Sequence, residues 1–151
     1  MDDLRELYQA TILGHNKKPR NFRAIEDASH EADGHNPLCG DQLTLYAKVA
    51  PDGTLEDVSF QGTGCAISRA SASLMTDFVK GKALPEIEAD FERFHELVTS
   101  SPSGEAKTEG LGKLAVFSGV REYPMRVKCA TLAWHALRAA LDDEGSTAKT
   151  E

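Results

Sequence analysis

Cysteine is scarce in this chain: there are three, Cys39, Cys65 and Cys129, and no two of them form a CxxC pair. That absence excludes thioredoxin-like redox chemistry and the usual zinc-ribbon spacing, so any metal site must draw on distant segments. An odd count also argues against a disulfide framework, and in a reducing compartment thiols serve more often as metal ligands or nucleophiles. Positive charge is in deficit, with 17 Lys and Arg against 24 Asp and Glu, a net charge of −7 and a pI near 5.2. A surface that replaces counterions along a phosphate backbone is therefore not expected, and nucleic acid is a poor partner. Long apolar runs are missing too. Nothing approaches the roughly 18–20 residues that cross a bilayer, and MDDLRELYQA has neither a basic n-region nor an apolar h-region. The expectation is a cytoplasmic protein with no membrane partner.

What is present fits one domain. With 151 residues, 40% of them hydrophobic, the chain has the size of a single core; the domain is expected over 1–142, followed by a mobile polar tail, 143–151 (DDEGSTAKTE without its first residue). Leu4, Leu7, Tyr8 and Ile12 recur at helical spacing and predict a helix over 3–14, stopped at Gly14. KKPRNFRAIEDA is basic and aperiodic, and reads as a loop. QLTLYAKVA alternates apolar and polar residues, Pro51-Asp52-Gly53 supplies a turn, and LEDVSFQGTG resumes the alternation, which predicts an antiparallel hairpin. Residues 28–36 add an edge strand. After Gly64 the period changes from two to 3.6, predicting a helix over 66–80. A further helix is expected within 83–100, entered near Pro85, and a last one from Pro124 to Leu141. LGKLAVFSGV is compatible with either a helical turn or a packed loop.

The chemistry-bearing residues lie near the ends of these elements. Cys39 and Asp41 sit in HNPLCGDQL, with Gly40 giving the backbone between them freedom to aim both side chains at one point. Cys65, in GTGCAIS, stands at a strand-to-helix junction where the helix dipole favours a thiolate. Cys129 lies early in the last helix. Taken alone, Cys129 on its apolar stripe reads as a small buried hydrophobe and Asp41 as a turn residue, with Cys65 balanced between the two kinds of role. Cys39, in a loop flanked by proline and glycine, favours function. Among the histidines His35 is close enough in sequence to Cys39 to be an alternative ligand, whereas His135 falls on another helix face. His15, Lys17, Lys18 and Arg20 form a candidate docking patch, as do residues 101–122.

NPLCGD, GTGCAIS and VKCATLAW, in this order, resemble the three ligand motifs of the IscU/NifU-N-terminal iron–sulfur cluster assembly family, specifically its SufU type. The likeness extends from ATILGHNKKPRNF through Leu141. It implies an α+β fold in which a small antiparallel β-sheet of about three strands packs against several α-helices, with Zn2+ held by Cys39, Asp41, Cys65 and Cys129. It also implies that Cys39 accepts persulfide sulfur from a SufS-type cysteine desulfurase and that downstream iron–sulfur assembly proteins receive it. Lys128 stands where IscU-type scaffolds carry a histidine within an LPPVK-containing segment, which is absent here, and the stretch around 101–122 resembles the SufU insertion. Both departures favour zinc-dependent sulfurtransferase activity. The alternatives are a scaffold that builds an iron–sulfur cluster on the same four ligands, and a structural zinc adaptor. Three thiolates and a carboxylate around Zn2+ leave a net negative centre, which Arg126 and Lys128 are placed to offset; Arg126 joins Cys39 and Asp41 as a candidate catalytic residue.

Overall fold

The structure, a computed structural model, describes residues 2–37, 40–142 and 147–149. Its sheet grows from the alternation of the central segment. Strand β2 (Asp41–Val49) buries Asp41, Leu43, Leu45 and Ala47 on one face and leaves Gln42 exposed on the other. It pairs antiparallel with β1 (His30–Asn36) and with β3 (Leu55–Thr63). The turn between β2 and β3 uses Gly53 at φ +87° and the Asp52 carboxylate, which accepts the Thr54 amide at 3.0 Å, and it closes over a register shift at Lys48/Val49. Within the polar tail, Thr147–Lys149 forms strand β4, parallel to β1, so the order is β3-β2-β1-β4.

Helices cover the apolar face of this sheet, giving the expected α+β architecture. They are α1 (Asp2–Lys17), α2 (Ala66–Val79), α3 (Leu84–Thr99) and α4 (Pro124–Leu141). Helix α4 lies so close to β1 that a Cβ on Gly34 would meet Leu132 and Ala136 at 3.2–3.3 Å. Serines let α2 approach α4 as well: Ser71, fully buried, donates its hydroxyl to the Ala130 carbonyl. On the far side of α4, Trp134 stacks on Phe94 of α3 with ring centroids 5.1 Å apart. None of the helices among the described residues is long and apolar enough to cross a membrane.

Three expectations are corrected. Helix α1 passes Gly14 and ends at Lys17, because an interior glycine costs only about 1 kcal/mol and the extra turn places His15 Nδ1 2.7 Å from the Ser73 hydroxyl of α2. The segment after it is not simply a docking loop. The Arg20 amide donates to Ser73 Oγ at 2.7 Å and the Asn21 amide group to Thr76 Oγ1 at 3.0 Å, strapping it to α2; Lys17, Lys18 and Arg20 remain exposed. Finally, Gly112–Glu122 is a 3₁₀ helix that buries Leu114, Phe117 and Val120. This half of 101–122 is core, and Arg121 ties it to the exposed half by donating to the carbonyls of Ser101 and Gly104, both at 3.1 Å.

Candidate metal centre

Two hairpin strands and two helix starts bring three donors together. Asp41 opens β2 directly opposite Asn36, the last residue of β1. The tight connection between them contains Gly40 at φ +72°, a left-handed conformation that glycine adopts without strain. Cys39, in this connection, lies outside the described residues. Cys65 caps α2 with an extended backbone, and its sulfur accepts the Ser68 amide at 3.5 Å. Cys129 is in the second turn of α4, 1% exposed.

The Asp41 carboxylate is fully buried. Its Oδ1 accepts the Cys65 amide at 2.8 Å, and the Cys65 thiol lies 3.8 Å from Oδ2. Asn36 Nδ2 donates to Cys129 Sγ at 3.6 Å. The carboxylate oxygen and two sulfurs all lie within 4.8 Å of one another. A side-chain hydrogen bond with Cys129 lowers the Cys65 thiol to about 6; the Ser68 and Ile67 amides act the same way, while burial and the Asp41 charge oppose them.

Among the described residues no lysine or arginine forms an ion pair with Asp41. A buried carboxylate beside an acidified thiol concentrates negative charge, and such charge is stable in an interior only when compensated. A divalent cation with a taste for sulfur and oxygen supplies that compensation, and the donor set fits zinc. The residues present therefore fit the metal that the sequence implies.

The family described as NifU-like N terminal domain matches residues 7–130. The chain belongs to this family. Among its relatives, the iron–sulfur cluster assembly scaffold protein IscU of Streptococcus pyogenes serotype M1 is 38% identical over 141 residues, 93% of this chain and 86% of that protein. The zinc-dependent sulfurtransferase SufU of Bacillus subtilis (strain 168) is 37% identical over 142 residues, 94% of each. The crystal structure of an iron–sulfur cluster assembly scaffold protein for the SUF system from Fervidobacterium islandicum AW-1 superposes with a TM-score of 0.79 at 34% identity, covering 87% of this chain and 93% of that one.

Within this NifU-type fold the other candidates divide. Arg126 is exposed in the first turn of α4, three residues before Cys129, a spacing that puts both on one side of the helix. Lys128 is half-buried. His35 points to the outer sheet face, where it lines an open groove of about 530 Å³ with Asp33, Thr44 and Gln61. That groove contains none of the three donors, because it lies on the sheet face opposite the buried Asp41. His135 turns toward α3, its ring 5.4 Å from Phe91, and burial together with His95 and Arg138 lowers its pKa. Two residues of the centre escaped the sequence reading. Asn36 is the first letter of NPLCGD, but nothing in the pattern reveals its contact with a cysteine 93 positions away. Gly64 reads as a turn residue, yet its φ is not left-handed; its importance lies in the room it leaves for Asp41.

Proposed function

We propose that this chain is a cytoplasmic iron–sulfur cluster assembly protein of one domain, which β4 extends past the expected boundary at 142, and that it acts as a zinc-dependent sulfurtransferase. The observation that carries the reading is the convergence of Asp41, Cys65 and Cys129 within 4.8 Å, with Cys39 two residues from Asp41 as the fourth donor. Zinc, when bound there, keeps the thiols deprotonated and guards them against oxidation. Lys128 and the 101–122 insertion favour sulfur transfer over a scaffold role, and a relative named as a sulfurtransferase aligns along 94% of both chains, beside scaffold relatives of similar identity.

In the reaction we assign, the Cys39 thiolate attacks the terminal sulfur of a persulfide on a SufS-type cysteine desulfurase. A new S–S bond forms on Cys39, the S–S bond of the donor breaks, and the donor cysteine leaves as a thiolate. Sulfur moves with no external oxidant or reductant. Arg126, exposed beside the site, attracts the anionic persulfide and its thiolate leaving group. Asp41 is held by the Cys65 amide, and so keeps its place while Cys39 reacts. The charged Cys39 then passes its sulfur to downstream assembly proteins.

Anaerobic incubation of the zinc-loaded protein with a cysteine desulfurase and cysteine tests this. Wild type is expected to gain one sulfur atom on Cys39 by mass spectrometry and to accelerate alanine release, and Cys39→Ser is expected to lose both effects. Wild type that does neither, but takes up iron and sulfide into a stable, transferable cluster, is a scaffold instead.

A further inference from the structure

Asn36 is an unusual residue to find at the end of a strand in a protein core. It is 0% exposed, it faces Asp41 across the hairpin, and among the described residues its Oδ1 has no hydrogen-bond partner. A buried amide left half-satisfied is disfavoured unless its other half does something that an apolar side chain cannot. Its Nδ2 reaches Cys129 Sγ at 3.6 Å. For a thiolate sulfur only this orientation of the amide is attractive, since the alternative turns Oδ1 against a negative charge.

We infer that Asn36 is a positioning residue for the metal centre: its amide N–H holds the Cys129 sulfur in place and draws electron density from it, setting how strongly that sulfur binds a metal ion. The inference rests on the reading of Cys129 as a ligand. Groups of this kind, which touch a ligand rather than the metal, orient the donor and tune its strength, and their loss costs metal affinity. The position suits the task. Asn36 belongs to the sheet and Cys129 to α4, so one hydrogen bond fixes the sulfur against a part of the fold that does not move with its own helix. Asn36 also sits opposite Asp41, so the strand pair that seats the carboxylate seats the amide as well.

Cobalt(II), which gives sulfur-to-metal charge-transfer bands where zinc is silent, serves as the probe on the full-length chain. Two variants bracket the question. Asn36→Leu removes the donor and keeps the branched heavy-atom shape, whereas Asn36→Ala removes the donor and leaves a void. If Asn36 acts by hydrogen bonding, both variants shift the charge-transfer band to lower energy by the same amount, because a sulfur without its N–H donor is the better electron source. Both also lose metal affinity in chelator competition by about tenfold, because the loss of positioning outweighs the gain in donor strength. A packing role would disturb Ala and spare Leu, and that outcome overturns the inference, as does a wild-type band and affinity in both. Should Leu fail to fold, as judged by circular dichroism of the metal-free protein, Ala decides alone: a band shifted to lower energy supports the inference, and a band at the wild-type energy or shifted the other way overturns it. Failure of the underlying reading looks different: wild type itself then shows no sulfur-to-cobalt band.

Discussion

At Gly64 the missing side chain leaves the space that the Asp41 carboxylate occupies. A Cβ there would lie 2.8 Å from Oδ1 and 3.2 Å from the carboxylate carbon. Asp41 cannot simply swing away, because it is fully buried and its Oδ1 accepts the Cys65 amide. Gly64→Ala is therefore expected to push the carboxylate off its position and lower zinc affinity roughly 10–100-fold, the range seen when groups that orient a ligand are lost. Gly14→Ala, a substitution into open space, is the control and leaves affinity unchanged. Competition with a chromophoric chelator reads both. Equal affinity in Gly64→Ala and wild type would mean that Asp41 does not need this seat.

At the scale of elements, Asp57 on β3 gathers two cations from separate segments. Arg23, in the loop after α1, lies 2.7 Å from its Oδ1, and Lys80, just past α2, lies 3.2 Å from the same atom. The Arg23 hydrogen bond, with Lys80 in support, holds the carboxyl below the ordinary range. Since the folded value is the depressed one, the stabilisation is complete above the unfolded carboxylate pKa of roughly 4 and disappears as pH falls through the lower native value. Asp57→Asn is expected to cost about 1 kcal/mol at neutral pH, with the gap from wild type closing at acid pH. Urea unfolding at several pH values measures it, and a gap that stays constant with pH would remove the ion pairs as its cause. Such ties also explain which elements could be read in advance. Alternation in β2 maps onto burial, so periodicity was enough there. Helices α2 and α4 were legible as helices, but they bury consecutive residues (Ser71, Ser73 and Thr76 among them) and leave Met125 exposed, which a single apolar stripe does not anticipate. The end of α1 depends on His15 reaching Ser73 on another helix, which no local pattern encodes. The 3₁₀ helix did leave a trace, because Leu111, Leu114, Phe117 and Val120 are all buried at intervals of three. That is the period of a 3₁₀ turn, and it is missed by templates of two and 3.6. Of the candidate centre, the three short motifs held Asp41, Cys65 and Cys129, which the fold brings within 4.8 Å of one another. Asn36 and Gly64 stayed hidden because their contributions, a contact across the fold and an empty volume, exist only in three dimensions.

For the whole molecule, the centre ties the β1–β2 hairpin to the starts of α2 and α4, so a bound metal ion stabilises the native chain against an unfolded one that has no such site. At a free zinc concentration about 1,000 times the dissociation constant this amounts to roughly 4 kcal/mol, or a melting temperature about 10 °C higher for a chain of this size. Differential scanning calorimetry before and after stripping with a strong chelator should show that fall, and Cys129→Ser should show it without stripping. An unchanged melting temperature in both would detach the centre from global stability. The same wide spacing has a consequence for the birth of the protein. Asp41 and Cys65 are 24 positions apart, and Asn36 waits for a cysteine 93 positions later. A ribosome must therefore release almost the entire domain before the last donor emerges. On the proposed ligand set, metal capture becomes a closing event of synthesis, and a truncated or stalled chain lacking α4 keeps only Cys39, Asp41 and Cys65 of the four donors.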